Sequence, residues 1–463
     1  MKTILFVGAL YKEDTRPFDQ QSCINYIPEM SGNQNARSPA LLRGVPGLKK
    51  QVDAGDGAVR GLHDVEGTHF MVRGTTLYEV KSDWTLVSRG TVSGAGRVSM
   101  THNTFGGGYQ MTIVNGLQGY VYNTNTQVLT QITATAFPGS IICDYIDSYT
   151  VHVAPDLIRW FNSELADATQ FSSTDFYEAE ASPDSLISLL VDHLEVWLFG
   201  TRSIEIWQDN PTETAVFQRA QGIFIEQGCA ATYSPASLDN GIFWFGNDGK
   251  VYRSAGYTPV VVSTPSIEQA MAGLDWSKAF SMVWSDRGHK VYYLSFPDGP
   301  TFGYDVSTQL WHQRKSYNQN NWRVSALSYW NGQWVAGDAL DGRLYTLDWN
   351  TFAEDDMPLV AERTSPYMTD AQNRLFQSAM EFVMDTGQGA LNGDNYLNLA
   401  YSDDGGRNYS NWKQRSLGAV GQYGLRVQFY RLGSFRNRLF RLQVSSPVKR
   451  DLIAVSASFQ EAA

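Results

Sequence analysis

The chain has 463 residues and a net charge of −11, with 43% apolar, 13% aromatic and only 18% charged residues. That length exceeds one compact core and predicts two or more domains, unless a repeat architecture absorbs most of it. No apolar run approaches membrane-spanning length, and a charge content below the ~25% of average domains suits a subunit that hides surface against neighbours.

Met1 to Leu10 holds one Lys and a short apolar run, with Tyr11-Lys12-Glu13-Asp14 following at once. A signal peptide needs a longer apolar core and a small-residue cleavage site, so the segment reads as a first strand of a soluble chain. Residues 1–52 read as an extended arm with a Pro-Gly turn in Leu41-Leu42-Arg43-Gly44-Val45-Pro46-Gly47-Leu48. Cys23, Cys143 and Cys229 are odd in number and far apart, which predicts buried reduced thiols and a reducing compartment.

From residue 53 to 352 one motif recurs: an aromatic-rich strand, a Gly or Asx-Gly turn, and a second strand ending in an aromatic. Phe70-Met71-Val72-Arg73-Gly74 leads to Leu77-Tyr78, and Met111-Thr112-Ile113-Val114-Asn115-Gly116 to Tyr120-Val121-Tyr122. Val196-Trp197-Leu198-Phe199-Gly200 leads to Ile204-Glu205-Ile206-Trp207, and Ile242-Phe243-Trp244-Phe245-Gly246 to Val251-Tyr252. Val291-Tyr292-Tyr293-Leu294 reaches Phe302-Gly303-Tyr304, and Trp334-Val335-Ala336-Gly337 reaches Leu344-Tyr345-Thr346-Leu347. Hairpins recurring every ~40–50 residues cannot bury their faces alone and must stack around a ring, which predicts an all-β protein led by a β-propeller. The one helical pattern is Ser266-Ile267-Glu268-Gln269-Ala270-Met271, with Ser266 as the expected N-cap.

The acidic run before Met357-Pro358 breaks the repeat, and residues 353–463 are expected to form a β-sandwich platform completed by the N-terminal arm. From Gly405 to Arg450 there are ten basic residues and no acidic one, so this stretch carries +10 and leaves −21 on the rest. Such a split predicts two surfaces with different partners. Arg426, Arg431, Arg436, Arg438 and Arg441 are the candidate docking face for an acidic protein; a set of strands with Arg-rich solvent faces is the plainer alternative.

Catalytic sets are scarce. The seven histidines (His63, His69, His102, His152, His193, His289 and His312) show no ligand spacing, so no metal site and no cofactor are expected. Gly246-Asn247-Asp248-Gly249-Lys250-Val251 lacks the first glycine and the Ser/Thr of a phosphate loop, and a hairpin turn accounts for it. Ser402-Asp403-Asp404-Gly405-Gly406-Arg407-Asn408-Tyr409 resembles an Asp box, a turn-fixing device. A glycosidase would need two converging carboxylates; Asp144, Asp147, Asp192, Glu195 and Glu205 could supply a pair, but nothing in their spacing selects one, and no catalytic residue is assigned.

Gly94-Ala95-Gly96-Arg97-Val98-Ser99-Met100-Thr101-His102, followed by Val114-Asn115-Gly116, resembles the packaged-DNA stabilization proteins, the tail hub or nozzle subunits of short-tailed bacteriophages. Asn25-Tyr26-Ile27-Pro28, Leu42-Arg43-Gly44-Val45-Pro46-Gly47, Ser203-Ile204-Glu205-Ile206-Trp207, Gln227-Gly228-Cys229 and Arg441-Leu442-Gln443-Val444-Ser445-Ser446-Pro447-Val448 extend the likeness along nearly the whole chain. The resemblance implies a virion tail protein made in the host cytoplasm, not an enzyme. It implies six copies in a ring below the portal-adaptor complex, extending and plugging the DNA channel and contacting tailspike or fibre and tail needle. DNA would pass without sequence-specific binding. The runner-up from the residues is a carbohydrate-active or carbohydrate-binding propeller acting on host surface glycans.

Overall fold

A computed structural model of the chain describes residues 2–33, 35–179, 184–210, 215–388 and 395–461. Among them, seven four-stranded antiparallel blades follow one another around a ring: residues 59–91, 99–131, 142–178, 186–219, 236–261, 280–314, and 324–348 with 47–52. The seventh blade takes its fourth strand, Gly47–Val52, from the N-terminal segment, in register with Leu344–Asp348, and the short strands Ala353–Glu354 and Met357–Pro358 extend that sheet. That exchange ties the two ends of the ring together.

Each blade begins on the ring axis with its first strand and turns back through a two-residue hairpin. Residues at all seven of these turns have positive φ at both positions: Glu66-Gly67, Gly106-Gly107, Asp147-Ser148, His193-Leu194, Asp239-Asn240, Arg287-Gly288 and Asn331-Gly332. Two consecutive left-handed residues match the right-handed twist of the flanking strands, which is why one turn geometry recurs in every blade. The repeat read from the sequence corresponds to the second and third strands of six blades. Blade three escapes that reading because its Tyr149–Val153 and Arg159–Asn162 strands are joined through Ala154-Pro155-Asp156-Leu157, a turn without glycine.

The C-terminal region is a β-sandwich. One sheet runs in the order 427–435, 375–384, 452–461, 40–44, 26–30, with Lys2–Ile4 beside 455–457. The other contains 361–364, 437–444, 396–402 and 413–416, and through Cys23–Ile24 it is continuous with the outer strand of blade six. N-terminal segments therefore complete the sandwich as well as the last blade. Two buried arginines fix this junction. Arg363 donates to the Phe6, Ala9 and Ser22 carbonyls, and Arg450 to those of Phe352 and Leu359. A buried guanidinium is tolerated when its N–H groups are taken up by fixed carbonyls, and each bond here staples a distant segment.

The helix spans Pro265–Met271, and its N-cap position is Thr264, not Ser266. Proline fits the first helical position because its missing N–H would be unpaired there anyway. The Ser266 hydroxyl instead accepts the backbone N–H of Lys12 at 2.6 Å. The three cysteines are buried free thiols, as expected.

Candidate assembly surface

The five candidate arginines of the basic C-terminal stretch do not share one environment. Arg438, only 2% exposed, donates to both carboxylate oxygens of Asp403 at 2.6 and 2.7 Å and lies over the rings of Tyr401 and Phe435. It is a structural residue and leaves the candidate docking face. The sequence could not reveal this, since in a strand alternate residues point inward and an arginine reads like a solvent-facing one.

Arg426 is exposed but forked onto Glu381 at 2.9 and 2.6 Å. Arg441 stacks 3.6 Å over the Tyr409 ring, with Glu362 at 3.7 Å. Arg431 and Arg436 are exposed, Arg436 giving one N–H to the Gln372 carbonyl. These two remain as cations with no carboxylate partner among the described residues. Arg431 adopts a left-handed φ of 55° where the pairing with the neighbouring strand slips by one residue, so a bulge aims it outward.

The Asp box resemblance holds as geometry. The Asp404 carboxylate accepts from the backbone N–H groups of Arg407 and Asn408 and from the Asn408 amide, and Ser402 accepts from Gly406 N. Those bonds, led by Asn408 N–H, hold the Asp404 carboxyl down at about 2. The turn is fixed by these bonds.

The five acids weighed for catalysis are each held in local bonds, with Asp192 and Glu195 opposite one another across a hairpin. Asp144 accepts from Val191 N at 2.8 Å across the seam between blades three and four, and burial pushes its carboxyl up to about 6. Asp147 is exposed at a hairpin tip, Glu205 is buried beside the indole of Trp207, and Glu195 accepts from the Tyr257 hydroxyl. Asp192 holds Ser237 Oγ at 2.8 Å and His193 Nδ1 at 2.5 Å. The carboxylate thus lies between serine and imidazole, an order in which the histidine cannot take the serine proton. One histidine pair does form: His63 Nε2 lies 2.9 Å from His102 Nδ1, with Glu66 3.8 Å from the far nitrogen of His102. Their 39-residue separation hid it from local spacing rules. Among the described residues no group of three ligand-type side chains could hold a metal ion.

The ring axis is closed at the end where the innermost strands begin. Arg97, on the connection into blade two, donates to the Ser325 carbonyl of blade seven at 2.7 Å and lies 4.0 Å over the Phe280 ring of blade six. Tyr233, on the connection into blade five, reaches the carbonyls of Arg97 and Ile141 with its hydroxyl at 3.4 Å each. Residues entering five different blades meet here, which is possible only on the axis. Arg97 belongs to the Gly94–His102 segment that carried the resemblance. At the opposite end the hairpins present Asp64, Glu66, Asp147, Asp192, Glu195, Asp239 and Asp286 beside the cations Arg287 and Lys290, with Asp239 paired to Lys290 and Arg253.

Residues 1–352 match the family model described as bacteriophage P22 Gp10, beta-propeller, and residues 361–460 match the model described as bacteriophage P22 Gp10, beta-sandwich. No curated protein matches the chain significantly. Among solved structures, the chain is similar to the computationally designed Ika8 protein, with 12% identity over 65% of this chain and 99% of that one and a TM-score of 0.40. It is similar to virginiamycin B lyase from Staphylococcus aureus, with 8% identity over 65% and 98% of the two chains and a TM-score of 0.43. YCF48 bound to D1 peptide has 13% identity over 66% and 98%, with a TM-score of 0.40.

Proposed function

Because the chain belongs to the bacteriophage P22 Gp10 family over both of its domains, it is a structural protein of a phage tail, and we propose that it is the hub or nozzle subunit of that tail. In this reading six copies form a ring below the portal-adaptor complex. The ring extends the DNA channel, helps to close it with the tail needle, and supports tailspikes or fibres. The observation that carries the reading is the closed axis: with Arg97 and Tyr233 across it, no duplex passes through a propeller, so a channel has to lie between copies. The acidic hairpin ends favour a wall past which DNA slides, since binding phosphate requires cations. Closed rings of identical subunits use heterologous contacts, in which one surface meets a different surface of the next copy. Of the five candidate arginines, Arg431 and Arg436 are the ones left for docking onto an acidic partner ring. No helix among the described residues is long and apolar enough to cross a membrane.

Native mass spectrometry of the purified chain, alone and mixed with portal-adaptor rings, tests this. Six copies per ring on the adaptor are expected. A monomer that ignores the adaptor rules the hub reading out.

A further inference from the structure

Blade two and the segment after the third strand of blade three enclose an open groove of about 1120 Å³. Its floor is one face of blade two, where Gln110, Asn123 and Val128 lie side by side in register across three strands. The opposite wall carries Asp167 and Phe171. Asp167 is held rigidly: its Oδ1 accepts from Gln110 Nε2 at 3.0 Å, Thr169 N at 3.0 Å and Thr169 Oγ1 at 2.7 Å. Its Oδ2 has no partner among the described residues.

The rest of the lining narrows the ligand. Hydroxyls come from Thr126, Thr130, Thr133 and Thr135, and rings from Phe105 and Phe171. No Lys, Arg or His lines the groove, so an anionic ligand would meet a carboxylate and no cation. A purely apolar ligand would strip water from amide and carboxylate oxygens without replacing it. A molecule with neighbouring hydroxyls and a C–H face meets both demands. Its hydroxyls donate to the outer Asp167 oxygen and exchange bonds with the threonine hydroxyls, and its C–H face lies on a ring.

We propose that this groove binds an uncharged oligosaccharide. It reads its ligand through side chains on a sheet face, not through backbone pairing at a strand edge, which separates it from strand addition by a peptide.

Saturation-transfer NMR on the full chain tests the site. The probes are neutral oligosaccharides of glucose, galactose, mannose, rhamnose and N-acetylglucosamine, with oligogalacturonate as the anionic control and a Thr/Val-rich peptide as the strand control. Transfer to at least one neutral sugar and none to oligogalacturonate is expected. Asp167→Asn, which keeps an oxygen for the inner bonds but loses the charge, should weaken binding about tenfold. Thr130→Val, at an exposed position, should weaken it less and leave the circular dichroism spectrum unchanged. The proposal is overturned if no neutral sugar receives saturation, if both folded variants bind as wild type does, or if only the peptide binds.

Discussion

At the residue scale, the buried polar side chains set how this molecule responds to acid. His69 is fully buried, stacked on Trp330 with ring centroids 5.1 Å apart, and neither of its nitrogens has a partner. Burial lowers its pKa to about 4. The unfolded chain takes up a proton near pH 6.5 that the folded chain refuses. Stability from this site is therefore complete above that pH and is lost as the pH falls, by about 2 kcal/mol at pH 5. His69→Phe keeps the stack and removes the titration, so it should resist urea better than wild type at pH 5 and lose less between pH 7.5 and 5. Parallel losses in the two proteins would remove His69 as the cause. Arg438 and the pair Arg431/Arg436 separate fold from surface in the same way. Arg438→Ala strands Asp403 and empties a space between rings, and should destabilise by about 3 kcal/mol. Arg431→Glu with Arg436→Glu should stay within about 0.5 kcal/mol in denaturant melts and weaken adaptor binding.

At the element scale, the seven two-residue turns explain both what the repeat displays and what it conceals. Five of them contain glycine, asparagine or both, a signal that sequence reading can use; Asp147-Ser148 and His193-Leu194 contain neither. Leu194 takes φ 62° with its side chain 65% exposed, so the strain there is repaid by little packing. Leu194→Gly should raise stability by about 1 kcal/mol, read as an upward shift of the denaturation midpoint. The closing strand gives the opposite case. A Cβ at Gly47 would lie 2.3 Å from the Thr351 carbonyl oxygen and 2.5 Å from that of Ala353, both rigid backbone atoms. Gly47→Ala should cost about 1–3 kcal/mol and raise amide exchange in 47–52 and 344–348 together, because the two strands share one ladder. Exchange rising in neither strand would mean that the ring does not depend on this closure.

At the scale of the whole molecule, the closed axis makes an isolated propeller unable to serve as a conduit, so the proposed hub needs a channel between copies. Cryo-electron microscopy of assembled rings should place DNA between copies, beside acidic hairpin ends; density along a propeller axis would contradict the plugged geometry. The local pattern alone determined that the chain is all-β, that blades dominate it and that a sandwich follows. Strand alternation and turn chemistry are nearest-neighbour properties, legible in Met111–Tyr122 or Trp334–Leu347 without knowledge of anything distant. Tertiary structure alone decided the number of blades, the loan of Gly47–Val52 to the last of them, and the burial of Arg438. It also decided the crossing of Arg97 and Tyr233 and the facing of Asp167 with Gln110 across a groove. These pair residues 35 to nearly 300 positions apart, and a charge or an amide carries no mark of which remote partner will remove it from water.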